Sequence, residues 1–402
     1  MTRDPFERWG LTPVINAAGT MTSIGASRVA PHTRALVDQI LASFVDMDEL
    51  QARAGSVISR LTGAEAGCVT ACSAAAMTQT VAACLTGADL ARIEMLPQTD
   101  QERRLLLPMG HMVNYGAPVD QAIRLAGADV VPVGTAAACE EWHLRAALRQ
   151  GAAAAMYVVS HHTVQENELP MDLFIACCRE YDVPVIVDMA SECDLTGPVA
   201  LGASAAIYSG HKFLGGVTSG IVAGKSDLVR ATYLQHRGIG RTMKAGKESV
   251  VGAMSALELW ETRDHDGAKS NEEALVDGWI RDLSDIPGLA LARHADWTGN
   301  PITRLQITVS PLVAGFNAWE LADRLVARSP RIIVRDDLIE RQEIYLDPCN
   351  LTPDEATQVA DSISEEAARF RFEGGGRQLS WSDVKHARET SALAWKGNRV
   401  AS

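Results

Sequence analysis

Short apolar runs alternate with longer helix-like segments between about residues 60 and 225, and this pattern predicts an α/β domain. The apolar runs that we interpret as strands are residues 105–107, 130–133, 156–159, 183–187 and 220–223. The segments that we interpret as helices include residues 120–126, 140–149 and 171–181. Strands that are apolar throughout and separated by helices are typical of a parallel sheet covered on both faces. We therefore predict a three-layer α/β/α large domain with a mostly parallel sheet.

The pattern changes after a long helical segment at residues 250–264. Fewer strands follow (304–309, 332–334 and 343–346), with helices near 318–328 and 353–370, which indicates a smaller α+β domain. From Glu373 onward the sequence is polar and loses its apolar periodicity. We predict four parts: an N-terminal segment that packs on the large domain or on a partner subunit (1–50), the large domain (51–255), the small domain (256–371) and a tail (372–402).

Composition excludes several classes of protein. The formal net charge of −13 argues against a nucleic-acid or anionic-membrane partner, since such partners favour basic faces. The N-terminus has no apolar core of the signal-peptide type, and no apolar run reaches the ~18 residues of a membrane span, so we expect a cytoplasmic location. The eight cysteines form no CxxC pair and no zinc-finger spacing. We therefore expect free thiols and no metal site.

Lysine is rare in this chain and points to chemistry. Only seven of the 37 basic residues are lysines, and the first is Lys212. It follows the apolar run 205–208 and precedes a glycine pair, which lets backbone approach a bound group closely. A desolvated lysine can lose its proton and attack a carbonyl, whereas a guanidinium cannot. Lys212 is therefore predicted to form a Schiff base at the end of a strand.

Four further features occur in the order that a pyridoxal phosphate (PLP) site needs. The turn at Cys72, Ser73 and Ala74 opens a helix whose backbone N–H groups could bind a phosphate. Asp188 ends a strand, where a buried carboxylate could keep a pyridine nitrogen protonated. Ser209 is a candidate donor to the phosphate. The glycine-broken basic segment 236–248 could form a concave anion site.

Each feature also has a purely structural interpretation. Ser73 could simply cap its helix, Asp188 could cap an exposed turn, and the basic segment could be a solvated loop. His211 could face either the site or a subunit contact, because neighbouring residues of an extended segment point in opposite directions. It is the order and spacing of the features that favour a PLP site.

Residues 207–225, which contain Tyr-Ser-Gly-His-Lys-Phe-Leu-Gly-Gly, resemble the lysine region of the selenocysteine synthase (L-seryl-tRNA selenium transferase) superfamily. Residues 238–248 are closer to its tRNA-independent branch, which includes D-glucosaminate-6-phosphate ammonia-lyase. Residues 14–19 and 346–348 also resemble the family, so that the similarity extends from about residue 8 to 370. The resemblance implies a fold-type-I PLP enzyme that forms a homodimer or a larger homo-oligomer with the site between subunits.

The resemblance also implies roles for individual residues. Lys212 would bind the cofactor covalently, Asp188 would contact its ring nitrogen, and Ser73, Ala74 and Ser209 would lie at its phosphate. His111, which follows a strand, lies where many such enzymes place a ring over the pyridine; a core or loop histidine is the alternative.

Other residues are candidates for contacts with the substrate. Arg335 could bind an α-carboxylate as a bidentate fork, or merely form a surface ion pair with Asp336 or Asp337. The basic side chains that would face a distal anion or hydroxyls are Arg241, Lys244 and Lys247. The histidines that could protonate a leaving hydroxide are His111, His161 and His162.

The resulting hypothesis is a β-elimination in which Lys212 removes the Cα proton of a β-hydroxy amino acid. Through the branch resemblance alone, the expected substrate is an amino-sugar acid such as D-glucosaminate or its 6-phosphate, which would give a 2-oxo acid and ammonia. Racemisation and retro-aldol cleavage remain alternatives within PLP chemistry, and transfer to seryl-tRNA is less favoured because the chain lacks an evident basic extension. A cofactor-free α/β binding protein is the alternative from another class.

Overall fold

The computed structural model describes residues 4–377 and 379–394, which divide into two compact units. The larger unit comprises residues 26–263 and 297–300. The smaller unit comprises the chain up to residue 25, residues 264–296 and the residues from 301 onward. None of the eight cysteines, all of which lie in the described part, forms a disulfide. Nor does any described helix combine the length and apolar character needed to cross a bilayer.

Helices and strands alternate along most of the described chain. The strands are β1 (Val14–Ala17), β2 (Ala66–Thr70), β3 (Arg104–Pro108), β4 (Asp129–Val133), β5 (Ala154–Val158), β6 (Val185–Asp188), β7 (Ala205–Ser209), β8 (Gly220–Gly224), β9 (Leu289–Ala295), β10 (Thr303–Val309), β11 (Arg331–Val334) and β12 (Glu343–Leu346). The α-helices are α1 (Pro5–Trp9), α2 (Pro31–Leu41), α3 (Met47–Thr62), α4 (Ser73–Thr86), α5 (Leu90–Met95), α6 (Val119–Leu125), α7 (Glu141–Leu148), α8 (Met171–Glu180), α9 (Gly197–Ala200), α10 (Ser226–Leu234), α11 (Lys247–Thr262), α12 (His265–Leu283), α13 (Pro311–Ala314), α14 (Ala318–Val326), α15 (Pro353–Phe372) and α16 (Trp381–Leu393).

The larger unit is built on a seven-stranded sheet with the order β2-β8-β7-β6-β5-β3-β4. The strands from β7 to β4 in this order are parallel, whereas β8 runs antiparallel to both of its neighbours. Every residue of β6 and β7 is buried, as expected where helices cover both faces of a parallel sheet. The predicted fold class, an α/β fold with a mostly parallel sheet, is confirmed.

Neighbouring positions of each strand point to opposite faces of this sheet and fill two separate cores. Leu106 and Val187 belong to one core, which also contains Phe174 of α8. Ile186, next to Val187, belongs to the other core with Met77 of α4. Burial of each of these large side chains stabilises the fold by roughly 1.5–3 kcal/mol. Apolar side chains form both cores of this unit.

The smaller unit contains an antiparallel sheet with the order β12-β10-β9 and a parallel pair of β1 with β11. Helices α12, α14 and α15 contribute to its core. The fully buried Trp279 donates its indole N–H to the carbonyl of Ala356 at 2.9 Å, so that its polar atom is satisfied. The phenyl rings of Phe316 and Phe370 stack with their centroids 4.5 Å apart.

The two segments that resemble the family in sequence, residues 14–19 and 346–348, meet beside a buried ion triad. Arg304 donates to Asp296 and to Asp347, each at 2.6 Å, and the three side chains are 2%, 6% and 1% exposed. Burial opposes ionisation of Asp347, but the Arg304 guanidinium and the Cys349 N–H outweigh it, and the pKa of Asp347 is lowered. The backbone N–H of Asp347 donates to the Ala17 carbonyl at 2.9 Å. The two segments therefore form one structural element of the smaller unit.

The unit boundaries differ from the predicted domain divisions. The predicted N-terminal segment 1–50 is split: β1 pairs with β11 in the smaller unit, whereas α2 lies in the larger unit, where Thr33 Oγ1 and Ser255 Oγ are 2.8 Å apart. The larger unit continues to residue 263 rather than 255, because α11 is one helix up to Thr262.

The segment from residue 372 also differs from the predicted tail, since it contains α16. The ring centroids of Trp319 and Trp381 are 5.8 Å apart, and Arg388 donates to Asp323 and Asp336 at 2.8 Å. Few side chains of this helix are buried, and its sequence accordingly shows only a weak hydrophobic pattern. Its first turn is fixed instead by Ser380, whose hydroxyl accepts from the Asp383 N–H.

Candidate active site

The candidate site residues lie mainly at the carboxyl ends of parallel strands. In register, Val158 of β5 is opposite Asp188 of β6, and Asp188 is opposite Ile207 of β7. The residues that follow these strands therefore emerge at one edge of the sheet, where ligands of open α/β sheets bind. Lys212 lies three residues beyond the end of β7.

Lys212 contacts a residue from the loop after β6. Its ammonium donates to Ser191 Oγ at 2.5 Å, and its side chain is half-buried. The backbone around it is held by the Gly215 N–H, which donates to the Lys212 carbonyl. Ser27 Oγ donates to the His211 carbonyl at 2.6 Å, so a segment from the N-terminal side of the unit also fixes this loop. The lysine is therefore held in place by contacts from both neighbouring loops.

Asp188 is buried at the end of β6 with 7% exposure. Burial raises its pKa, while the Ala190 N–H, 3.0 Å from Oδ1, and the charge of Lys212 pull the pKa in the opposite direction without cancelling the rise. The structural alternative, an exposed turn cap, is excluded by this burial. Asp188 is thus a carboxyl group whose negative charge is only partly compensated by the protein.

The turn between β2 and α4 supplies helix N–H groups. Cys72 caps the helix, since its Sγ accepts from the Ala75 N–H at 3.4 Å, and the Thr70 hydroxyl donates to the Cys72 carbonyl at 3.0 Å. Ser73 is the first residue of the helix rather than its cap. The N–H groups of Ser73 and Ala74 therefore belong to the first turn, which has no intrahelical acceptor and carries the positive end of the helix dipole.

Strand β8 connects this turn to the lysine loop. Gly220 is opposite Thr70 of β2 on one side and opposite Ser209 of β7 on the other. A Cβ at Gly220 would lie 2.3 Å from the Cys72 carbonyl oxygen, so only glycine allows this approach. The buried Ser209 has its hydroxyl 3.2 Å from Nδ1 of His211.

His111 is buried with 2% exposure and has a defined protonation state. Its Nδ1 accepts the backbone N–H of Val158 at 3.2 Å, so the proton of the neutral ring is on Nε2. Burial lowers the pKa of His111 to about 4. The ring packs edge-on against Tyr157 with centroids 4.5 Å apart. His111 is thus a neutral imidazole at physiological pH, suited to stacking and hydrogen-bond donation rather than to a cationic role.

His161 and His162 follow the end of β5, and they are more accessible than His111. The two rings lie with their centroids 3.7 Å apart, and the ring of Trp297 is 5.8 Å from that of His161. His161 is half-buried and His162 is exposed. These histidines are therefore accessible to solvent and do not belong to the apolar core.

The predicted substrate residues lie in different surroundings. Arg241 and Lys244 are exposed on the basic segment, whereas the Lys247 ammonium donates to the carbonyls of Leu41 and Ser43. Arg335 lies in the smaller unit, and its Nε donates to Asp337 at 2.7 Å. Lys247 thus supports the chain between α2 and α3, and Arg335 is half-buried in an ion pair. Substrate contacts by all four remain predictions.

Two residues near the lysine were missed in the sequence. Ser191 was detectable in principle, because it is polar and follows a strand end by three residues. Tyr115 had no such signal. Burial raises its pKa to about 12, with further contributions from the charges of Asp188 and Cys72, so its hydroxyl lies within electrostatic range of both. About 40% of its surface is exposed, so the side chain is accessible to solvent.

These groups match what PLP would require of the protein. The negative charge of buried Asp188 is only partly compensated, so the carboxylate would be stabilised by a nearby cation such as a protonated pyridine nitrogen. The N–H groups at Ser73 and Ala74 suit a phosphate. Lys212 supplies an amine for the aldehyde. The residues present therefore fit the cofactor.

Comparison with known proteins gives the same result. The sequence model of the L-seryl-tRNA selenium transferase family (SelA) matches residues 14–272. A D-glucosaminate-6-phosphate ammonia lyase of Salmonella typhimurium is 36% identical over 368 residues, which cover 91% of this chain and 99% of the relative. A 5'-C-glycyluridine monooxygenase-decarboxylase of a Streptomyces species is 35% identical over 383 residues, 94% of this chain and 95% of the relative.

Solved structures extend the comparison to the fold. A D-glucosaminate-6-phosphate ammonia-lyase structure has a TM-score of 0.81 and 35% identity, and the match covers 92% of this chain and all of that one. Aminotransferase structures that are only 13% and 17% identical share the fold alone. The chain therefore belongs to the L-seryl-tRNA selenium transferase (SelA) family and is a PLP-dependent enzyme of fold type I.

Proposed function

We propose that this chain is a PLP-dependent ammonia-lyase that eliminates water from a β-hydroxy amino acid, releasing a 2-oxo acid and ammonia. The proposed substrate is an amino-sugar acid, D-glucosaminate or its 6-phosphate. The observation that carries this proposal is the 36% identity to a D-glucosaminate-6-phosphate ammonia lyase over nearly the whole length of both chains. The arrangement of Lys212 and Asp188 supports it, since an elimination needs both a base and a protonated ring.

Bound PLP would supply an electron sink for the electrons released at Cα. Lys212 Nζ would take the Cα proton, and Ser191 Oγ, which accepts from Nζ at 2.5 Å, would orient it. Asp188 would hold the ring-nitrogen proton, because its burial strengthens attraction to a cation. The first turn of α4 would bind the phosphate. These roles use only groups at the strand ends and the α4 turn.

We assign proton donation to the leaving hydroxyl to His161 and a stacking role to His111. His111 already accepts a backbone N–H at Nδ1, and its pKa of about 4 leaves almost no imidazolium at neutral pH. His161 follows the strand next to β6 and is half-buried beside Trp297. A partly accessible imidazole can take up a proton from solvent between turnovers, and a general acid needs this step.

A distal phosphate of the substrate would be met by Arg241 and Lys244, whose charges are exposed on the glycine-broken segment. Lys247 would join the same segment to the chain between α2 and α3 through its two carbonyl contacts. Arg335 would bind the α-carboxylate and would then exchange its contact with Asp337 for the substrate.

We also propose a homo-oligomer with shared sites and a cytoplasmic location. Phe44 is fully exposed beside the Lys247 ammonium, and Leu41 is about half exposed. Exposed apolar side chains next to functional residues suit a subunit contact. None of the eight cysteines forms a disulfide, which suits a reducing compartment.

A substrate panel tests the reaction. The purified PLP-loaded chain is incubated with D-glucosaminate, its 6-phosphate, serine and threonine, and the 2-oxo acid, ammonia and aldehyde are assayed separately. Ammonia and 2-oxo acid in equal amounts are expected from an amino-sugar acid. Interconversion of D and L forms without ammonia would establish a racemase instead, and release of aldehyde would establish a retro-aldolase.

A lysine pair tests the residue assignment. Lys212→Ala should lower turnover by about 10²- to 10⁴-fold and abolish the borohydride-reducible attachment of PLP. Lys225→Ala, an exposed lysine next to β8, is the matched control and should retain both. Failure of the parent chain to attach PLP would favour a cofactor-free binding protein.

The Streptomyces relative supports a second candidate, because its identity of 35% is nearly as high and it matches 94% of this chain. This candidate is an oxidative decarboxylation of 5'-C-glycyluridine or a similar amino acid. Consumption of O₂ and release of CO₂ from that compound, with no ammonia from the amino-sugar acids, would replace the lyase proposal. Transfer to seryl-tRNA is less favoured, since the selenium transferases of Actinobacillus pleuropneumoniae and Solidesulfovibrio magneticus are only 28% and 24% identical to this chain.

A further inference from the structure

The loop after β6 carries a buried carboxylate with an unusual set of partners. Glu192 is only 9% exposed, and its Oε2 accepts from Thr298 Oγ1 at 2.7 Å and from Asn300 Nδ2 at 2.8 Å. The Thr298 hydroxyl and the Asn300 amide nitrogen are themselves 3.1 Å apart. A carboxylate that accepts two hydrogen bonds at one oxygen is firmly located.

Asn300 also holds the backbone next to this carboxylate. Its Oδ1 accepts the N–H of Cys193 at 2.8 Å, while its Nδ2 donates to Glu192. One amide side chain therefore fixes two consecutive residues of the loop. Residues 297–300 are the tip of the β9–β10 hairpin. They belong to the larger unit, whereas both strands of the hairpin belong to the smaller one. We call residues 297–300 the hairpin tip.

The loop that the hairpin tip holds is the loop that positions the lysine. Ser191, whose hydroxyl accepts from the Lys212 ammonium, is adjacent in sequence to Glu192. The Glu192 N–H donates to the Met189 carbonyl, which closes a short turn that contains Ser191. A shift of Glu192 would therefore be transmitted directly to Ser191 Oγ.

We propose that Glu192 and Asn300 are positioning residues, through which the hairpin tip fixes Ser191 against the Lys212 amine. This inference rests on the proposed role of Lys212 as the cofactor-binding lysine. Neither residue needs to touch substrate or cofactor, because both act through the backbone of residues 191–193. The tip also carries Trp297 beside His161. The same element therefore contacts both the loop that positions the lysine and His161.

Isosteric substitutions test this contact. Asn300→Asp places a second carboxylate against Glu192, whereas Glu192→Gln removes the charge and keeps an acceptor. In the double variant Glu192→Gln/Asn300→Asp, the new amide can donate to the new carboxylate, which can still accept the Cys193 N–H. Arg293→Ala, an exposed ion pair on β9 of the same hairpin, is the control.

The first measurement is hydrogen exchange of the peptide that contains residues 188–193, on the chain with and without PLP. Asn300→Asp should speed exchange of this segment by about tenfold or more, because repulsion between the new carboxylate and Glu192 moves the acceptor away from the Cys193 N–H. The double variant should return to the parent rate, and Arg293→Ala should not change it. Equal exchange in Asn300→Asp and the parent would overturn the proposal.

The second measurement is the pH midpoint of the visible absorbance of lysine-bound PLP. Ser191 Oγ stabilises the protonated lysine nitrogen, so its displacement in Asn300→Asp should lower the midpoint by about one pH unit. The double variant should restore the parent midpoint, a rescue that general destabilisation would not produce. A folded double variant as impaired as Asn300→Asp would refute the specific contact.

The two hypotheses fail separately. If the parent chain forms no lysine-bound PLP, the proposed function fails, whereas exchange of residues 188–193 without PLP still decides whether the hairpin tip fixes this loop. If the parent chain binds PLP but neither exchange nor the midpoint responds to Asn300→Asp, the positioning role fails and the proposed function stands.

Discussion

The protonation state of His111 gives a prediction whose magnitude follows from the structure. The ring is buried, and Val158 N–H occupies Nδ1. Burial lowers its pKa from the ordinary 6.5 to about 4. Each pKa unit corresponds to about 1.4 kcal/mol, so the neutral state of His111 accounts for about 3 kcal/mol of pH-dependent stability.

The sign follows from proton binding. Between about pH 6.5 and pH 4 the unfolded chain binds a proton at this imidazole, and the folded chain does not. The contribution of His111 is therefore fully present above pH 6.5 and is lost as the pH falls towards 4. Glu168 acts in the opposite direction, because burial raises its pKa. A comparison of variants is needed to separate the two.

His111→Phe keeps an aromatic ring and removes the titration. Urea unfolding of the parent and of His111→Phe at several pH values between 4.5 and 7.5 should show a steeper loss of stability in the parent as the pH falls, with an expected difference of about 3 kcal/mol at most. Long-range nitrogen NMR of the imidazoles should show a neutral ring protonated at Nε2 at pH 6. Parallel stability curves, or an imidazolium signal for His111 at that pH, would refute the reasoning.

Further predictions concern stability. Asp347→Asn breaks the buried triad and should lower the free energy of unfolding by about 3–5 kcal/mol, whereas Arg293→Ala, which removes an exposed pair, should cost less than about 1 kcal/mol; similar losses in urea unfolding would contradict this. Gly19→Ala should lower the melting temperature much more than Gly10→Ala, because both glycines have positive φ but only a Cβ at Gly19 meets a neighbour, Oδ2 of Asp347 at 2.7 Å. Glu168→Gln replaces a buried carboxyl that has no hydrogen-bond partner among the described residues. It should stabilise the chain at pH 8, and the gain should shrink towards pH 5, since burial raises the pKa of Glu168; a gain independent of pH would count against that cause.

Six of the seven strands of the larger sheet were predicted, because each contains a continuous apolar run, whereas β2, which begins with Ala-Gly-Cys, was not among them. Because ligands bind at the carboxyl ends of such strands, the predicted strand ends also indicated that Asp188 and the Lys212 loop belong to the site. Strand β9 was not predictable, because most of its residues are at least partly exposed and its pairing with β10 is decided across a turn. Helix α16 was hidden for a similar reason, since it buries little apolar surface.

The missed parts of the site depend on contacts between distant segments. Asn300 meets Glu192 across 108 residues, and nothing in the local sequence of either residue indicates the other. The same holds for Tyr115 and Asp188, which share a site only because β3 and β6 flank β5 in the sheet. Periodicity describes each element separately, whereas these contacts arise from the order in which the sheet arranges them.

The position of β8 between β2 and β7 has a consequence for biosynthesis. The turn at Cys72 emerges from the ribosome early, but its partner Gly220 is made roughly 150 residues later. Until then β2 lacks its neighbour in the sheet, and the α4 turn has no strand to hold it beside the lysine loop. A growing chain that ends before Gly220 should therefore be unable to retain the cofactor, so that loading with PLP is a late event in the maturation of this protein.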